Sequence, residues 1–171
     1  MLSGYRLPME PRKLRSSLWE AANILRGSAV DRTDWKGYIL PLLFYKRICD
    51  VWSEERAQML NDYGQDFSDE YRFNIPSGCH WEEVRATPKN VGSSLKGAMQ
   101  EIERANPETL NRIFGSADWG NREKFTDELI KDLIEGFSEI NLGNNSVNSD
   151  VLGDAYEYLV GKFADVTRRN K

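Results

Sequence analysis

Histidine is almost missing from this sequence: His80 is the only one in 171 residues. No other metal ligand stands at the spacing a zinc site needs around it, so His80 reads as a loop residue. Cysteine is as scarce. Cys49 and Cys79 lie in unrelated contexts, and Cys49 falls on an apolar helical face, where a buried thiol is expected rather than a disulfide or a ligand. No apolar stretch is long enough to span a bilayer, and the N-terminus lacks the apolar core of a signal peptide. Cytoplasm is therefore the expected location. Positive charge is not in excess either. Lys and Arg number 23 against 27 Asp and Glu, a net charge of −4, which argues against nucleic-acid binding through bulk charge. Local basic clusters do occur at Arg12-Lys13-x-Arg15, Lys46-Arg47 and Arg168-Arg169-x-Lys171. There is no Gly-x-Ser-x-Gly elbow, no phosphate-loop spacing and no internal repeat. Adjacent acidic pairs such as Glu54-Glu55 and Glu82-Glu83 read as solvated faces.

What is present is helical patterning. From about Thr33 to Leu60, Trp35, Tyr38, Ile39, Leu42, Tyr45, Cys49 and Trp52 recur at three- and four-residue steps, the period of one helical face. Leu43, Phe44, Ile48 and Val51 make the middle apolar nearly all round, so other elements should pack about this helix. Thr33 is the expected cap. Pro41 lies inside the pattern and predicts a kink near Leu40 rather than two helices. Lys46, Arg47 and Asp50 interrupt the apolar surface and are expected to reach solvent or a partner.

Around this element the chain reads as a mainly α, multi-helix bundle. Residues 1–11 look like a flexible tail, and residues 12–171 like a single helical domain. A first helix from Pro11 to Arg26 carries the stripe Leu14, Leu18, Ala21, Ala22 and Leu25, with Gly27 as its stop. The link to the long helix is short, so the two should lie side by side. Tyr71 to Ile75 alternates apolar and polar, which predicts a short strand or an extended segment laid over the helices. Short helices are expected near Trp81 and from Pro107 to Gly115, and longer ones from about Asn90 to Ala105 and after Thr126, a cap with Phe125 and Ile130 as its hydrophobic staple. The last helix follows Ser149 or Asp150. Gly153 and Gly161 inside it suggest close approach of another backbone. The five tryptophans sit in or beside apolar stripes and read as core.

Trp35-Lys-Gly-Tyr-Ile-Leu-Pro-Leu-Leu-Phe-Tyr-Lys-Arg-Ile-Cys-Asp50 resembles a segment of the N-terminal helical domain of the modification subunit of type I restriction-modification systems. Two further stretches agree in order and spacing: Ile75-Pro76 followed by Trp81, and Asp150-Val-Leu-Gly-Asp-Ala-Tyr-Glu-Tyr-Leu-Val-Gly-Lys-Phe-Ala164. The resemblance runs from about Leu14 to Ala164. Cys49 replaces the serine common in the first segment.

The resemblance implies a subunit that methylates N6 of adenine in DNA using S-adenosylmethionine. It implies a specificity subunit, a second modification subunit and a restriction subunit as partners, and double-stranded DNA in the assembled complex. The methyltransferase domain of that family is expected to follow this region and is absent from the chain. Asn106-Pro107 is followed by Glu108, not by the proline and aromatic of the family's adenine-binding motif. No catalytic, cofactor-binding or metal-binding residue is therefore assigned here. The helical domain would help clamp DNA through phosphate contacts that position rather than specify, and Lys46, Arg47, Arg12, Lys13 and Arg15 are the candidates. The alternative is a pure protein-interaction module that docks the modification subunit to its partners with no DNA contact of its own. A self-contained enzyme is the third reading.

Overall fold

Six helices carry the apolar stripes of the sequence, in a computed structural model that describes residues 9–67 and 70–169. Residues 1–8 of the expected tail lie outside the described residues. Residues 9–11 are held: the Met9 amide donates to the Ser146 carbonyl at 2.9 Å, and Pro11 opens α1 (Pro11–Ala22) at the position where a missing N–H costs nothing. A 3₁₀ turn (Asn23–Leu25) continues α1, and Gly27 stops it in the left-handed region at φ 83°.

The long element is α2 (Trp35–Tyr63), entered through a 3₁₀ turn at Arg32–Asp34. Its cap differs from expectation. Asp31, not Thr33, does the capping, accepting from the Thr33 amide at 2.8 Å; a carboxylate two residues upstream reaches the free N–H that Thr33 itself presents. α2 stays one helix through Pro41 and closes at Gly64 in the left-handed conformation. Twelve apolar residues between Trp35 and Met59 are buried along it, on nearly every side of its first half.

The other helices surround it: α3 (Trp81–Arg85), α4 (Val91–Ala105), α5 (Asp127–Ser138) and α6 (Ser149–Arg169). α3, α5 and α6 pack on α2, and α4 packs on α3 and α5. α1 lies mainly against α6 and α5 instead of beside α2. Gly136 explains its seat on α5, since a Cβ there would meet the Ile24 side chain at 2.7 Å. The core runs through all six, with Trp35, Trp81, Trp119, Tyr45, Phe125 and Phe137 its largest fully buried side chains.

Two local expectations fail for identifiable reasons, and of the two alternatives at residues 71–75 the segment laid over the helices is the one observed. No strand forms among the described residues. Residues 71–75 lie irregularly across the helices because side chains replace a partner strand: Asn106 accepts from the Asn74 amide at 2.8 Å and donates to its carbonyl at 2.7 Å. Glu55 accepts from the Arg72 amide at 3.0 Å, and Tyr71 stacks on Trp52 at 4.8 Å. The helix expected from Pro107 is a run of turns, since Arg112 adopts φ 58° and redirects the chain. Gly153 and Gly161 face open space, with nothing within 4 Å of an added Cβ. Close approach occurs at other glycines. A Cβ on Gly92 would stand 2.1 Å from the Trp119 carbonyl oxygen, and one on Gly143 would stand 2.0 Å from the Glu54 carboxylate.

Candidate functional site

The polar face of α2 carries Lys46, the one buried charged side chain among the described residues. Lys46 is 5% exposed. Its ammonium donates to the Ile140 carbonyl at 2.8 Å and to the Asp50 carboxylate one turn on, and lies 5.9 Å from the Trp81 ring centre. Asp50 in turn accepts from the Leu142 amide at 2.8 Å. Half-buried Arg47 donates to the Leu142 and Val147 carbonyls at 2.6 and 3.0 Å and to the Asn144 side chain. Glu54 accepts from the Asn145 amide at 3.1 Å. Helical periodicity sets these four side chains on one flank of α2, and together they hold the loop of residues 140–148. That loop is rich in turn formers and makes few bonds of its own, so its backbone groups find partners on α2. Asn148 then caps α6 through the Val151 amide at 2.9 Å.

The five basic residues singled out from sequence thus divide. Lys46 points inward, and both it and Arg47 are occupied by the chain's own carbonyls; Arg47 is half-buried and borders the groove beside Phe44 and Tyr156. Arg12 and Lys13 are exposed on α1. Arg15 is half-buried against α6, with its guanidinium 3.6 Å from Asp154 and 5.4 Å from the Tyr158 ring centre.

A second cluster has the look of a nucleophilic pair. Ser53 Oγ lies 3.0 Å from His80 Nε2. Yet His80 is the cap of α3: its Nδ1 accepts from the Glu82 amide at 3.2 Å, and Glu83 closes a capping box. An acceptor Nδ1 puts the proton of the neutral ring on Nε2. His80 therefore donates towards Ser53 and has no lone pair to take its proton, so the pair is structural. Burial holds the imidazole below its ordinary 6.5, in keeping with the neutral form that the cap requires.

Apolar side chains reach the surface in two places. Leu60, Tyr63 and Phe67 are exposed at the end of α2, with Tyr63 63% exposed. Tyr156 of α6 stacks on half-buried Phe44 at 5.8 Å, beside a groove of about 400 Å³ lined by Val51, Phe73 and Leu152 and also by Arg47 and Arg72. Sequence reasoning placed Phe44 and Tyr156 in helical stripes without separating surface from core. No local signal separated them: Leu152, Leu159 and Val160 stand three and four residues from Tyr156, as they would on a core face.

A family model described as HsdM N-terminal domain matches residues 14–137. The MpnII type I restriction enzyme methylase subunit of Mycoplasma pneumoniae is 23% identical over 189 residues, covering 88% of this chain and 35% of that protein. The MjaIX type I restriction enzyme methylase subunit of Methanocaldococcus jannaschii is 22% identical, covering 90% of this chain and 31% of that protein. The chain thus spans about a third of the length of these relatives. A crystal structure of the type I restriction-modification methyltransferase subunit from Streptococcus thermophilus shares the fold, with a TM-score of 0.66, 21% identity, and coverage of 91% of this chain and 39% of that one.

Proposed function

The chain belongs to the HsdM N-terminal domain family, and from that premise we propose that it acts as the assembly domain of a type I restriction-modification methylase subunit. In this reading it docks the subunit to specificity, restriction and further modification subunits and carries no chemistry itself. The observation that supports it best is the surface. Large apolar side chains stand exposed at Leu60, Tyr63, Phe67 and Tyr156, while Lys46 and Arg47 of the α2 flank are engaged by the chain's own carbonyls. Exposed aromatics on an otherwise charged surface are the mark of a protein interface.

The whole subunit is proposed to transfer a methyl group from S-adenosylmethionine to adenine N6 in DNA. No residue of this chain is assigned to the cofactor. The test is co-purification with the other subunits over a range of salt. Complexes that survive high salt and are lost in Tyr63→Ser/Phe67→Ser or Tyr156→Ser support the assembly reading. Complexes that form equally well with all these variants count against it.

A second reading, phosphate contact with DNA, is favoured by the outward-facing Arg12 and Lys13 on α1. Such contacts place a duplex without reading it. If α1 carries them, Arg12→Glu/Lys13→Glu weakens DNA binding by the assembled enzyme and reduces its salt slope by about one to two.

A further inference from the structure

The groove between the first turns of α2 and the turn at residues 112–117 has a volume of about 550 Å³. Its floor is apolar, made by Leu40, Pro41 and Phe44 of α2 and by Ile113 and Ala117 across from them. Its rim is cationic. Lys36 and Arg112 are exposed and line it from opposite sides, with no side-chain hydrogen bond or ion pair among the described residues. Lys124 adds a third positive charge, shared with Asp118 at 3.4 Å. Asp34 is the one carboxylate on the lining. This local excess of positive charge contrasts with the chain's net charge of −4.

Gly37 of α2 also lines the groove and is exposed. The groove therefore offers an apolar floor and unpaired cations.

We infer that this groove docks a peptide segment of a partner protein in which apolar side chains alternate with Asp or Glu. Apolar side chains fill the floor, and carboxylates meet Lys36 and Arg112. A nucleic-acid strand fits the groove less well, because phosphates find no partner on its floor and the chain as a whole is acidic. The inference rests on the assembly reading and names one surface and the chemistry of what it receives.

Amide chemical shifts of this chain are the measure, with a twelve-residue peptide alternating Glu with Leu or Phe as the probe. Shifts gathered at Gly37, Ile113 and Ala117, and affinity at least tenfold weaker in Lys36→Glu/Arg112→Glu, support the groove. Arg112→Gly is the second variant. It removes one cation at φ 58°, where glycine is at ease, so its weaker binding does not come from a damaged fold. A peptide that leaves these amides unmoved overturns the inference. So does a duplex oligonucleotide that moves them more strongly, or shifts that appear on concentrating the chain without peptide. Co-purification with partner subunits separates the two levels. Assembly that persists in Lys36→Glu/Arg112→Glu overturns the groove and leaves the assembly reading standing, whereas failure of every version to assemble overturns the assembly reading itself.

Discussion

Lys46 shows how much a single side chain depends on its surroundings. In the sequence it is a basic residue next to another on a long helix. In the fold it is a buried cation with a carboxylate and a carbonyl as partners. Removing one partner of such a pair leaves the other charge uncompensated, at a cost of about 3 kcal/mol. Lys46→Met is therefore expected to lower unfolding free energy by about that amount in urea titrations, while Arg12→Met on the open face of α1 leaves it unchanged. Equal effects of the two would show that Lys46 is not the anchor described. His80 makes a different residue-scale prediction. Its ring is held below its ordinary 6.5, so the folded state favours the neutral form. The unfolded state binds more protons as pH falls through 6.5 towards the lowered folded value, and stability drops in that window. The melting temperature is expected to fall on acidification from pH 7 to pH 5.5, and His80→Asn, which keeps a good cap, is expected to flatten that part of the profile.

The elements depend on helpers outside themselves. α4 begins at Val91 with Asn90 in the left-handed region and no side-chain cap of its own. Its first amides are satisfied from α5, where Asp127 accepts from the Asn90 and Val91 amides at 3.0 and 3.1 Å. Those two donors hold the Asp127 carboxyl below its usual range. Glycines report element contacts in the same way. Gly92→Ala puts a methyl group against the Trp119 carbonyl and is expected to cost about 1–3 kcal/mol by overpacking. Gly153→Ala meets nothing within 4 Å and is expected to stabilise α6 by about 0.5–1 kcal/mol. Thermal melts of the two variants should move in opposite directions; a stabilising Gly92→Ala would remove the basis for close α4 packing. Asn106→Ala tests the irregular segment. It leaves the Asn74 backbone without its two partners and is expected to raise hydrogen exchange across residues 71–75 before it affects the helices.

At the scale of the molecule, the question is which surface meets something else. The acidic balance, the exposed aromatics at the end of α2 and the stacked Phe44–Tyr156 pair favour protein contacts. Fluorescence anisotropy with labelled duplex DNA and this chain alone is the direct check. The assembly reading expects little binding even at low salt, and Arg12→Glu/Lys13→Glu to change that little. Tight binding that weakens steeply with salt would favour the DNA reading and make α1 the face to map.

Much of this was legible in the chain because it is a matter of period. The α2 stripe, the Thr126 cap, the Gly27 stop and the mainly helical class follow from residue spacing and from the backbone freedom of glycine, which act over a few residues. The three ordered segments from Trp35 to Ala164 likewise pointed to the family that matches residues 14–137. The rest was decided by contacts between residues far apart. No local pattern says that Lys46 and Arg47 will meet carbonyls some hundred residues on, that Asp127 will cap a helix preceding its own, or that Asn106 will stand in for a partner strand at Asn74. Those outcomes arise because each buried amide and carbonyl must find a partner once the helices are packed, and only the packing determines which side chain is within reach.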